Sequence, residues 1–175
     1  MMSHARTMVL TFGCCLILLK GSPGWGQNAN GGNGTLSTSD RNFIINAEQS
    51  GLHEVQMGML GVERGTNRDL KVYAQQMLDD HTLSNAEIAA LARLKGVTLP
   101  NPDKTDPAVV KLSALSGLEF DQEFARQEID NHLRNLAQFE KEDQSAAADP
   151  DVKGFAHSAL PKMRAHLERV QALKL

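Results

Sequence analysis

From about residue 40 onward the apolar residues of this chain return at steps of three and four, the period of helices with one buried face. A first helix is predicted from about Asp40 to Arg64, with Phe43, Ile44, Ala47, Val55 and Val62 on one arc. Gly51, Gly58 and Gly61 fall on the same arc; glycine costs helix propensity, so three on the buried side predict a closely approaching neighbour. Gly65 closes this helix, Thr66 with Asp69 reads as a capping box, and a second helix runs to about Lys95, with Gly96 as its C-cap. After the proline-broken stretch "VTLPNPDKTD", a short helix is predicted over 107–116 and a third long one over 117–145. Asp149 and Pro150 start a fourth long helix that ends near Leu173 and is expected to kink at Pro161.

Four helices of this length predict an all-α four-helix bundle over residues 39–175, with the short extra helix in the connection between helices two and three. That connection is long enough to cross the bundle, as in ferritin-like topology, and an up-and-down order is the alternative. Composition agrees: the 175 residues are 41% hydrophobic, enough for one domain with a sizeable core, and only 5% aromatic, which argues against an all-β fold.

The start of the chain has a different character. Arg6, the apolar run Met8 to Leu19, Lys20 and a small-residue segment ending at Gly26 have the order of a secretory signal, predicted over residues 1–26. The run is too short to span a bilayer, so no transmembrane segment is expected in the mature chain. Residues 27–38, "QNANGGNGTLST", read as a flexible Gly/Asn-rich tether. The expected location is therefore the periplasm or the exterior. Both cysteines, Cys14 and Cys15, lie in the signal, so the mature protein needs no disulfide. Lipid attachment there is the alternative, although Phe12 stands where a small residue is expected. Cleavage leaves 16 Lys and Arg against 21 Asp and Glu, a net charge of −5 that speaks against nucleic acid as a partner.

Candidate chemistry sits in the buried stripes. His81 occupies a core position of the second helix, seven residues after Ala74 and seven before Ile88. At 100° per residue, Asp121, Glu128 and His132 share the buried arc of the third helix, and His166 shares that of the fourth with Met163 and Val170. His53 and His157 fall outside these arcs, while Glu54 lies at an edge of the first. Counting from the turns puts Glu54, His81, Glu128, His132 and His166 within roughly 8 Å of one level. Imidazoles and carboxylates projecting inward from facing helices suit iron, zinc, manganese or copper, so one transition metal is expected on Glu54, His81, Asp121, Glu128, His132 and His166. Such an ion should leave as pH falls through roughly 6 to 5, when imidazole protonates. The competing expectation is a metal-free polar core in a structural or partner-binding bundle. No oligomeric state is legible. No mature cysteine nucleophile, glycine-rich phosphate loop or serine elbow occurs, so the residues lean away from an enzyme.

The blocks "FIINAEQSGLHEVQMGMLG", "VYAQQMLDDHTLSNAEIAALARLKGVTLP", "LSGLEFDQEFARQEIDNHLRNLAQFE" and "FAHSALPKMRAHLERVQAL" resemble the bacterial domain-of-unknown-function family 4142, a secreted ferritin-like family. Its motif is matched by Glu54, Asp80, His81, Phe120, Asp121, His132, Leu160, Pro161 and His166. The resemblance implies a ferritin-like four-helix bundle and no particular activity. The ferritin-like di-iron pattern, Glu-x-x-His on each of two helices, is broken: Leu78 precedes His81 by three residues and Met163 precedes His166 by three. Oxidase or ferroxidase chemistry is therefore not expected.

Overall fold

The computed structural model describes residues 36–101 and 106–175; the predicted signal and most of the tether lie outside the described residues. Five helices follow in order: α1 (Thr38–Arg64), α2 (Arg68–Leu94), α3 (Pro107–Ser113), α4 (Gly117–Gln144) and α5 (Pro150–Gln171). No strand occurs among the described residues, and none of their helices is long and apolar enough to cross a membrane. Local chemistry fixes the ends. Ser37 accepts from the Asp40 N–H, so α1 begins slightly earlier than its apolar period. Asp106 before Pro107 and Asp149 before Pro150 are N-caps followed by prolines whose missing N–H would have been unpaired anyway. Gly96, at φ +64°, takes the left-handed conformation that ends α2. The predicted Thr66–Asp69 box does not form: Asn67 is the N-cap of α2, and Thr66 points elsewhere. Helix α5 continues through Pro161, which lies on its exposed side.

The four long helices pack as two antiparallel hairpins, α1 with α2 and α4 with α5. The glycine arc does what its position predicts: a Cβ on Gly58 would lie 2.8 Å from the Leu78 backbone nitrogen and 2.9 Å from the Ala74 carbonyl oxygen, so only glycine lets α2 come this close. Contacts between hairpins set their direction. Helices α1 and α4 are antiparallel, with Phe43 against Phe139 near one end and Gly61 against Phe124 near the other. So are α2 and α5, where Lys95 meets Asp149 and Gln76 meets Arg169. Helices α2 and α4 consequently run parallel, and the chain between them returns along the bundle, with α3 resting on α1 and α4.

The core is divided. Phe43, Ile44, Ile88, Phe139, Val152 and Leu160 belong to one apolar cluster, and Met57, Leu70, Tyr73, Phe120, Phe124 and Val170 to another. On each long helix the sequence passes from one cluster to the other through a polar residue: Glu54, His81, Glu128 with His132, and His166.

Candidate metal centre

His81 on α2, His132 on α4 and His166 on α5 converge in this middle layer. Their ring centroids are 6.3, 5.6 and 5.6 Å apart, and one nitrogen from each lies within 4.8 Å of the others. His132 and His166 are buried, at 2% and 1% exposure, while His81 is half-buried.

Hydrogen bonds decide which nitrogens are free. His132 Nδ1 lies 2.9 Å from the Glu128 carbonyl oxygen, which can only accept, so Nδ1 carries the proton and Nε2 keeps its lone pair. His166 Nε2 donates at 2.9 Å to Asp80 Oδ2, leaving a buried Nδ1 without a partner. The Nε2 of His81 is likewise buried and unpartnered. Asp80 is anchored by Lys162 at 2.8 Å; burial works against its charge, but the bonds from Lys162 and His166 prevail and hold its carboxyl down at about 2. Burial pushes His81 down to about 3, helped by the neighbouring His166 and His132. Burial likewise lowers His132 to about 4, and it lowers His166 despite Asp80. Three neutral imidazoles, each with one unshared electron pair, therefore stand together at neutral pH. Without metal, His81 and His132 therefore take up protons only below the ordinary imidazole range, and His166 is shifted in the same direction.

A carboxyl pair adjoins His132. Glu54 from α1 and Glu128, both fully buried, form a second potential ligand group with the same imidazole. Tyr73 donates at 2.9 Å to Glu128 Oε2, whereas both Glu54 oxygens lack a donor. Burial, then the neighbouring Glu128, raises Glu54 well above the usual carboxylate range. Burial raises Glu128 to about 7 in spite of the hydrogen bond from Tyr73. Two acids so close in an apolar setting cannot both be charged cheaply, so a proton shared between them is the stable state without a cation.

Residues 26–173 match the family described as domain of unknown function (DUF4142). The chain belongs to the DUF4142 family. No curated protein matches it. Among solved structures, it resembles a DUF305 fragment from Deinococcus radiodurans, with a TM-score of 0.69 at 16% identity, over 79% of this chain and 96% of that one. That likeness speaks for the helical-bundle fold alone.

Of the residues that carry the DUF4142 resemblance, Glu54, Asp80, His81, His132 and His166 meet in the polar layer; Asp121 does not. Its carboxylate accepts from the Thr66 N–H at 2.9 Å, the Thr66 hydroxyl at 2.5 Å and the Asn67 N–H at 2.8 Å, fastening the α1–α2 turn. The predicted ligand Asp121 is thus a structural cap, two helical turns from Glu128. His157 is exposed beside Asp143, as its phase predicts. His53 stays out of the triad but is half-buried, held by Asp106 at 3.2 Å and Asn131 at 2.5 Å. The candidate ligands drawn from the sequence left out two supporting residues, Tyr73 and the motif residue Asp80. Tyr73 shares the buried stripe of His81, and a buried phenol needs a partner for its hydroxyl. Asp80 stands beside His81 on α2, yet it serves the histidine of α5.

Proposed function

We propose that this DUF4142 protein is an exported helical bundle, ferritin-like in its connections, that holds one transition metal ion in its core through His81, His132 and His166. One observation carries this reading: three buried or half-buried imidazoles from three helices bring one nitrogen each to a common point, two of them oriented by bonds on the opposite nitrogen. That second bond is the support that metal-binding histidines characteristically have. Imidazole suits zinc, copper and iron, while the neighbouring Glu54 and Glu128 add the oxygen donors that manganese and iron favour. Once ionised, the carboxyl pair also supplies negative charge that neutral imidazoles do not. Export rests on the signal-like order of residues 1–26 and places the centre in the periplasm or outside the cell.

The second reading, a metal-free polar layer that organises the bundle, is favoured by the bonds His166 already makes to Asp80 and His132 to Glu128. Metal analysis of untagged protein recovered from its own compartment separates the two, together with melting curves in zinc, copper, manganese and iron(II). The metal reading expects a bound ion and a melting temperature raised by several degrees at saturating metal. Metal-free protein that melts at one temperature under every condition would leave only the structural layer.

A further inference from the structure

A cavity of about 270 Å³ opens beside the imidazoles, between α2 and α5, where Leu83 and Ser158 are exposed. His81 and His166 line it, whereas His132, Glu54 and Glu128 do not. The triad thus turns its His81–His166 edge to the cavity and keeps the carboxyl pair behind His132. Apolar side chains line part of it, Phe139 and Phe155 with ring centroids 6.0 Å apart and Met163, alongside the polar Asn135 and Lys162. Ser50 also lines the space; its oxygen accepts from Asn135, so its own hydroxyl proton is available to a guest.

We propose that this cavity is the ligand pocket of the centre and takes a small aromatic anion, a phenolate or an aromatic carboxylate, whose oxygen completes the coordination of the ion. The proposal rests on the metal reading above. Three imidazoles fill three positions around a four-coordinate ion and leave one for an outside ligand. Even beside the single negative charge of a carboxyl pair that shares one proton, three neutral imidazoles leave a divalent cation unbalanced, so an anionic oxygen is preferred to a neutral one. The aromatic walls suit a ring, and the size agrees, since an apolar cavity of ~150 Å³ admits benzene. Two acids touch the space without repelling such a guest from its floor: the Asp80 charge is bound to Lys162 and His166, and Glu87 stands at the exposed rim.

Cobalt(II)-loaded protein tests this, because the visible bands of the ion report both its presence and any new ligand. Benzoate is expected to shift the bands with a dissociation constant roughly tenfold or more below that of acetate, which offers the same oxygen without the ring. Ala159→Trp, which fills the cavity from α5, is expected to keep the cobalt bands and lose the benzoate response; Ser158→Trp at the rim serves if Ala159→Trp does not fold. Bands indifferent to benzoate, equal affinity for the two anions, or a normal benzoate response in the tryptophan variants would overturn the pocket and leave the metal reading standing. Absence of cobalt bands in the unmodified protein would overturn both.

Discussion

Asp80 bonds to His166 and so chooses which nitrogen of that ring is free. Its carboxylate holds Nε2–H, so the buried Nδ1 is left free. Replacing it by asparagine keeps the shape but removes the charge and allows the amide to turn its NH₂ toward the ring. Asp80→Asn is expected to weaken metal binding on the order of 10- to 100-fold while the fold persists, as a competition titration against a chelator would measure. Asp121 makes the opposite case. It accepts three hydrogen bonds at the α1–α2 turn and is 1% exposed. Asp121→Ala should cost about 1–3 kcal/mol in denaturant unfolding and leave metal affinity unchanged. A loss of affinity without a loss of stability would return Asp121 to the centre. The contrast marks what was legible at this scale. Helical phase correctly turned Asp121, Glu128 and His132 inward, but it carries no knowledge of which unpaired N–H groups a turn elsewhere will present.

Gly58 is where α1 lies against the backbone of α2, and its role was readable from the glycine arc alone. A methyl group there strikes backbone atoms of α2 rather than a side chain able to swing away. Gly58→Ala should therefore force the helices apart and destabilise the bundle by about 1–3 kcal/mol, despite the better helix propensity of alanine. Thermal melts check the sign: a stabilised Gly58→Ala would mean that propensity outweighs the close approach. Helix number, order and most boundaries also follow from period and caps, because each rests on neighbours in sequence. The connection between α2 and α4 did not reveal its path, since its length permits both topologies. The choice is made by long-range pairs such as Lys95 with Asp149, which no local pattern encodes.

For the molecule as a whole, the polar layer makes stability depend on pH with two opposed signs. His81 and His132 ordinarily titrate near 6.5 but are held to about 3 and about 4, so unfolding takes up protons in between. Their contribution is complete above 6.5 and is lost as pH falls toward those values. Glu128 is raised from 4.5 to about 7. Its contribution is present below 4.5 and is lost as pH rises through about 7. Between 4.5 and 6.5 the trends oppose, the two histidines against Glu128 and the likewise raised Glu54. In chelated protein the melting temperature is expected to change little across that interval and to fall steeply below it, whereas in Glu128→Gln the decline should begin near 6.5. A decline starting at the same pH in both proteins would show that the layer does not control the acid limb.

The parallel course of α2 and α4 has a consequence for assembly. Each hairpin closes through contacts near in sequence, but neither contains the centre: α1 and α2 bring Glu54 and His81, and α4 and α5 bring Glu128, His132 and His166. The layer exists only where the two hairpins meet, and their docking brings the two acids together between oily surfaces. If the proposed ion is held there, it should act as a clasp closed last, with little effect on how fast either half forms and a longer time for which the halves, once joined, stay joined.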